Sequence, residues 1–259
     1  MKDIKLWVVT HKKKNISYPY RTYIKVGNGE NNTDMVTDAT GDNIAEKNKN
    51  YCELTAIYWI WKNTNCDIVG IEHYRRVFGF NLFDVKNYFI LKPKKIEKVL
   101  KKYSVICPKK FKFKDTLLNR YRQNFDENDF DIIRRIIDEK YPDYLNSYDY
   151  VMNSNFGTMC NMMICSKELF NSYCEWLFDI LFESEKYIDP SNRDAYRARV
   201  FGFLSERLLN IWLVKNELKV KYVSVIRTDG GRFKGLIGVF ITKIKCLLQK
   251  KIVKVKYEK

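Results

Sequence analysis

The sequence predicts an α/β fold built on a mostly parallel central sheet. Apolar runs of strand length recur at residues 4–9, 67–72, 103–107 and 220–226. Segments with helical spacing lie between them, at 51–62, 96–102, 168–182 and 195–216. The runs do not alternate apolar with polar, the pattern of strands covered on both faces by helices. The elements follow in order. Residues 4–9 are broken only by Lys5, and residues 23–26 make a second short strand. Residues 27–43, rich in Gly, Asn, Thr and Asp, form a long loop of a length that usually serves function. Leu54, Ile57, Tyr58 and Trp61 then share one helical face. The strand at 67–72 follows, and Pro108 stops the one at 103–107. Residues 126–150 are acidic and helical, and 159–165 are strand-like. The helix at 195–216 carries Phe201, Leu204, Leu208, Ile211 and Trp212 before the last strand.

Composition narrows the class. The 259 residues are 46% hydrophobic and 15% aromatic, which excludes a disordered chain. Lys and Arg number 47 against 31 acidic residues, a formal charge of +16. Apolar runs fall short of the roughly 18 residues of a spanning helix. The start, Met1-Lys2-Asp3-Ile4-Lys5, is too charged for a signal peptide, so the expectation is a cytoplasmic chain. Seven cysteines without a Cys-x-x-Cys pair, beside two histidines, predict buried thiols rather than a zinc framework.

Ligands of parallel sheets bind beyond the carboxyl ends of the strands. Thr10-His11-Lys12 follows the first strand, His73-Tyr74-Arg75-Arg76 the strand at 67–72, and Lys109-Lys110 the strand at 103–107. Both histidines thus open basic clusters at strand ends, which predicts an anion site suited to a diphosphate. No Gly-x-Gly-x-x-Gly or Gly-x-x-x-x-Gly-Lys follows a strand, which disfavours dinucleotide oxidoreductases and P-loop enzymes. Carboxylates gather at Asp34, Asp38 and Asp42 in the loop and at Glu53 beyond it.

These segments together resemble a known family. Val8-Val9-Thr10-His11, Thr40-Gly41-Asp42-Asn43-Ile44, Lys47-Asn48, Tyr51-Cys52-Glu53-Leu54-Thr55 and Glu72-His73-Tyr74-Arg75-Arg76 carry the resemblance. So do Asn161-Met162 and Arg199-Val200-Phe201-Gly202-Phe203-Leu204-Ser205-Glu206-Arg207. The family is catalogued as domain of unknown function 4422 and assigned to glycosyltransferase family 111, in bacterial capsule and O-antigen synthesis. The resemblance spans residues 4–225. It implies an A-like glycosyltransferase fold and an inverting transfer of galactofuranose from UDP-galactofuranose. The implied acceptor is a glycan, usually carried on undecaprenyl diphosphate at the inner membrane face.

Under that reading, Thr10, His11, Lys47, His73, Tyr74, Arg75, Arg76 and Lys109 are the candidate donor and diphosphate residues. An inverting transfer needs a general base, and the candidates are Asp42, Asp38, Glu206 and Glu53, in that order. Asn161, Trp59 and Arg199 are candidates for sugar or acceptor binding, although Trp59 and Trp61 point to different helical faces and one of them belongs in the core. Cationic side chains are expected in place of a metal; Glu72 and Asp67 keep a divalent ion open as the alternative. Residues 1–228 are expected to be the catalytic domain and 229–259 a basic amphipathic tail. Residues 232–259 hold nine basic residues against one acidic, half of the net charge, which suits an anionic membrane surface. Two other readings stand beside this one. One is the same fold with another UDP-sugar. The other is a nucleic-acid-binding module, disfavoured because the cations sit at strand ends and in the tail.

Overall fold

The computed structural model describes residues 2–12, 18–27, 35–79 and 90–227. The expected tail over 229–259, Asp34 and Cys246 lie outside the described residues.

Strands β1 (Ile4–Thr10), β2 (Thr22–Lys25), β3 (Val36–Thr37), β4 (Ile68–His73), β5 (Arg76–Gly79), β6 (Val105–Pro108), β9 (Met163–Ser166) and β10 (Val220–Arg227) form one sheet, and β7 (Phe111–Lys112) and β8 (Phe156–Gly157) a small second one. The main sheet is mixed rather than mostly parallel. β1 runs parallel to β2 and β4, β2 to β3, and β6 to β10. β9 runs against β4 and β6, and β5 against β4 and β10. Those pairings close a ring, β4–β9–β6–β10–β5, from which β1–β2–β3 extend as a wing. The antiparallel members are short and follow loops, so the helix–strand alternation that predicts parallel order misses them.

The unalternating strands are explained by burial on both faces. Leu6, Ile68, Ile106 and Ile164 point into a cluster with Phe78, Ile96 and Val99, under α3 (Pro93–Leu100). Their neighbours Trp7, Val69, Val105 and Cys165 point the other way, beneath the remaining helices. These are α1 (Asn48–Tyr51), α2 (Leu54–Asn63), α4 (Leu117–Arg122), α5 (Asp129–Lys140), α6 (Leu145–Met152), α7 (Lys167–Ser184) and α8 (Val200–Lys215). Ser166 caps α7 by accepting from the Leu169 N–H, and Thr116 caps α4 in the same way.

Local chemistry moved several predicted boundaries. The helix expected over 51–62 is broken at Cys52, whose φ of 54° is left-handed. The acidic helical segment is split by Pro142 into α5 and α6. The strand expected from 159 begins only at Met163, because Cys160 and Asn161 both have positive φ. Residues 195–199 lie outside the long helix, with a short 3₁₀ turn at Arg197–Arg199. Of the six described cysteines, Cys107, Cys165 and Cys174 are buried, whereas Cys52, Cys66 and Cys160 are half-buried free thiols.

Candidate functional site

A cavity of about 570 Å³ opens where β1 and β4 end and β5 begins, within the size range of small-molecule sites. One wall is cationic. Thr10, buried at the end of β1, accepts the Lys12 N–H at 3.0 Å and so closes the turn that carries His11. Tyr74 and Arg75 form the β4–β5 turn, pinned to β1 by the Tyr74 N–H donating to the Val9 carbonyl at 3.0 Å. The His11 and Tyr74 rings meet edge-on at 5.1 Å, and the Arg75 guanidinium lies 5.1 Å from the Tyr74 centroid. His73, Arg76, Lys49 and Arg199 also line the cavity. Burial, then Lys12, Arg75 and Arg199, lower the His11 pKa from its ordinary 6.5. This crowding of positive charge is what an anion would relieve.

The floor carries two carboxylates. Glu53 sits between α1 and α2, and Glu206 on α8. Cys160 and Asn161 hold one each: the Cys160 N–H donates to Glu206 Oε1 at 2.9 Å, and Asn161 Nδ2 to Glu53 Oε1 at 2.9 Å. Asn161 Nδ2 also reaches the Gly202 carbonyl at 3.1 Å. Nε2 of His73 donates to the Cys160 carbonyl, which places the imidazole proton on that nitrogen. Burial raises the Glu206 pKa; Arg207, 3.1 Å from Oε2, opposes that rise, and Glu53 adds to it. Of the five non-glycine residues with positive φ among the described residues, Cys52, Cys160 and Asn161 surround these carboxylates. Backbone of this kind persists where surrounding packing over-determines it, and it gathers at functional sites. Burial also pushes the Cys52 and Cys160 thiols up to about 11, so neither is a thiolate near neutrality.

The structure therefore brings Thr10, His11, His73, Tyr74, Arg75, Arg76, Arg199, Glu53 and Glu206 to one cavity, with Asn161 directly behind Glu53. It leaves five predicted residues elsewhere. Asp42 is exposed beside the far end of α2, where it accepts from the Tyr58 hydroxyl at 3.0 Å. Asp38 is fully buried and accepts the Gly27 N–H at 2.9 Å, tying the ends of β2 and β3 together. Lys47 is bound to Glu185 at 2.8 Å. Trp59 packs edge-on against Trp7 at 5.8 Å and donates to the Thr40 carbonyl at 2.8 Å; Trp61 stacks on Phe178. Both tryptophans thus serve packing. Lys109 is exposed, with its N–H on the Val223 carbonyl beyond the end of β6.

Glu72 and Asp67, the carboxylates that kept a metal open, do not face the cavity. Glu72 is fully buried in a two-point pair with Arg21, at 2.9 and 3.0 Å, and also accepts the Phe78 N–H. Asp67 accepts the Asp3 N–H. Among the described residues no group of three or more His, Cys, Asp or Glu is arranged to hold a metal ion. None of their helices is long and apolar enough to cross a membrane. Sequence reasoning missed Lys49, Cys52, Cys160, Tyr196 and Phe203 of the lining. Lys49, a cation four residues before Glu53, was the most discoverable.

A mixed α/β sheet carries cations at the ends of β1 and β4, facing carboxylates from the start of α2 and from α8, and its class is that of an A-like glycosyltransferase fold. The apo structure of WbbM, a bifunctional glycosyltransferase, supports that class: it is similar at a TM-score of 0.79 and 30% identity, over 86% of this chain and 45% of that one. The chain thus spans less than half the length of WbbM. The family model described as domain of unknown function DUF4422 matches residues 5–217, and the chain belongs to that family. No curated protein matches it.

Proposed function

We propose that this chain is a glycosyltransferase that uses a nucleotide-sugar donor and a glycan acceptor in polysaccharide synthesis. The convergence of His11, Arg75, Arg76 and Arg199 with Glu53 and Glu206 on one cavity carries the reading. The likeness to WbbM supports it, and the sequence resemblance to glycosyltransferase family 111 supports galactofuranose from UDP-galactofuranose as the donor.

Departure of a nucleoside diphosphate develops negative charge on the leaving oxygen, and fixed cations in a closed site stabilise it. The arginines of the cationic wall supply that charge, with guanidinium forks suited to phosphate oxygens. They take the part a metal plays in related chemistry. Glu53 is the general base. One of its oxygens is held by Asn161, and no described residue donates to the other, so it can accept the proton of the acceptor hydroxyl. Both oxygens of Glu206 are engaged, by Cys160 and by Arg207, and it positions rather than abstracts. The acceptor oxygen bonds to the anomeric carbon as the bond to the diphosphate breaks on the opposite face, inverting the centre. A lipid-linked acceptor suits the basic segment 232–259, which would rest on an anionic membrane surface.

The test is UDP release by the full chain with UDP-galactofuranose and a synthetic glycan acceptor, in buffers with and without EDTA. Transfer that survives EDTA and yields a β-linked furanoside supports each part. Release from a UDP-hexopyranose alone would change the donor, and no release from any nucleotide sugar would overturn the reading.

A further inference from the structure

One exposed aromatic ring is unaccounted for by the donor wall or the carboxylates. Tyr196 lines the cavity yet is 54% exposed, and it is the only strongly exposed aromatic among the described residues to do so. An exposed tyrosine on a loop ordinarily loses rotamer freedom for little return. Here the ring is built in. Phe125 stacks against it at 5.6 Å and 21°, and Tyr121, fully buried, stacks against Phe125 at 4.7 Å and 26°. Phe203, also in the cavity lining, meets Tyr196 at 5.1 Å and Phe125 at 4.5 Å. The ring is thus the outermost member of an aromatic stack rooted in the core.

The backbone beneath it is held as firmly. Asp194 Oδ1 accepts the N–H groups of Tyr196 and Arg197 at 2.9 and 3.0 Å. Arg193 forms a two-point pair with buried Asp129, 2.7 Å on each arm, and Asp129 also accepts the Tyr121 hydroxyl at 2.7 Å. Asn50 Nδ2 donates to the Ala198 carbonyl at 2.7 Å, fastening the segment to α1 at the cavity floor. The loop is anchored on both sides of Tyr196 while the ring itself stays open, which is the form of a preorganised contact surface.

We infer that Tyr196, backed by Phe125 and flanked by Phe203, is the platform on which the acceptor sugar ring stacks. The C–H face of a sugar is weakly positive and apolar, and the face of a phenol ring is negative. The platform stands on the helix side of the cavity, on the segment that leads into α8, whereas His11 and the β4–β5 turn lie on the strand side. Arg199 and Lys49 reach the cavity from the helix side, but His11, Arg75 and Arg76 stand together at the strand ends, and a diphosphate centred on those three leaves the Tyr196 ring for the other substrate. The ring also tolerates variety in the acceptor, because stacking reads a face rather than a hydroxyl pattern; the carboxylates supply the stereochemical demand.

The inference rests on the transferase reading above, and its test separates the two. Steady-state transfer is measured for the full chain with varied donor and varied acceptor, for wild type, Tyr196→Ala, Tyr196→Phe and Tyr196→Trp. The expected result is a roughly tenfold rise in acceptor KM for Tyr196→Ala, with donor KM and kcat at saturating acceptor unchanged. Tyr196→Phe and Tyr196→Trp should restore the acceptor KM to within about twofold. Wild-type protein inactive with every nucleotide sugar would overturn the transferase reading. An active wild type whose acceptor KM is untouched by Tyr196→Ala, or in which only the donor KM rises, would overturn the platform alone. Tyr196→Ala removes the packing on Phe125 and Phe203 and should lower the melting temperature by about 2–4 °C, leaving the protein folded at the assay temperature; a folded variant makes either outcome decisive.

Discussion

Two basic clusters leave the same end of the same sheet, and only one of them reaches the cavity. His73-Tyr74-Arg75-Arg76 follows β4, which is flanked by parallel β1, so its cations meet His11 across a single strand spacing. Lys109-Lys110 follows β6, which reaches β4 only through antiparallel β9 and, on its other side, through β10 and β5. Lys110 turns instead onto the Phe156 and Tyr222 rings, at 4.8 and 5.2 Å. The rule that ligands gather at strand carboxyl ends therefore needs the strand order as well as the strand ends. The carboxylates divide in the same way. Glu53, between α1 and α2, and Glu206, on α8, line the cavity, while Asp38 and Asp42 fasten the loop.

The largest effect should come from the carboxylates. Glu53→Gln keeps the Asn161 contact and removes the proton acceptor, and should lower kcat about a thousandfold. Asp42→Asn should stay within about twofold of wild type. Equal losses in the two variants, measured under saturating donor, would erase the distinction between cavity and loop.

Beneath the first cluster lies a buried ion pair, where the second rests on the neutral contact of Thr158 Oγ1 with the Pro108 carbonyl at 2.9 Å. Arg21 and Glu72 are fully buried, and Arg21 also donates to the Leu91 carbonyl at 2.9 Å. Arg21→Ala would leave the Glu72 carboxylate uncompensated immediately before His73, and should cost about 3–5 kcal/mol in denaturant unfolding. A loss below about 1 kcal/mol would mean that the β4 end is held by packing alone. Next in size, Arg75→Ala and Arg76→Ala should each weaken UDP binding roughly tenfold by calorimetry without lowering the melting temperature. Lys109→Ala should leave UDP binding unchanged, and a Lys109 effect equal to theirs would restore it to the diphosphate site.

The two regions also show what could be read in the sequence. Unalternating apolar runs located β1, β4 and β6, because burial on both faces writes itself into composition; β10, half-buried along most of its length, was marked by its β-branched residues alone. The β1 and β4 ends could be chosen as a site for the same reason: histidines and arginines directly after such runs have few structural uses. The antiparallel order of β5 and β9 could not be read, since short strands leave no periodic trace. The breaks at Cys52 and Cys160-Asn161 were equally hidden. Cysteine in left-handed backbone is imposed by tertiary packing; asparagine enters that region more readily, but a single Asn among apolar residues does not mark a break. Tyr196 was absorbed into a helix because apolar spacing continued through it.

The smallest effect is the most specific to the cavity, and it concerns His11. Its pKa is lowered first by burial and then by Lys12, Arg75 and Arg199. The folded protein therefore binds this proton less tightly than the unfolded chain. Stability from this group is present above the unfolded value and is lost as pH falls through it, toward the depressed folded value. Donor binding reverses the pressure. A diphosphate placed among the same cations makes the charged imidazole favourable, so binding raises the lowered His11 pKa, takes up a proton, and donor affinity rises as pH falls. A nucleotide sugar is the right probe, since its diphosphate is esterified at both ends and does not titrate near neutrality, as the terminal phosphate of free UDP does. Calorimetry in buffers of different ionisation enthalpy, repeated across the histidine range, should show fractional proton uptake, with less than a tenfold change in affinity. His11→Gln should abolish the uptake, whereas Lys109→Gln should preserve it. Uptake that persists without His11 would move the titrating group to another part of the wall.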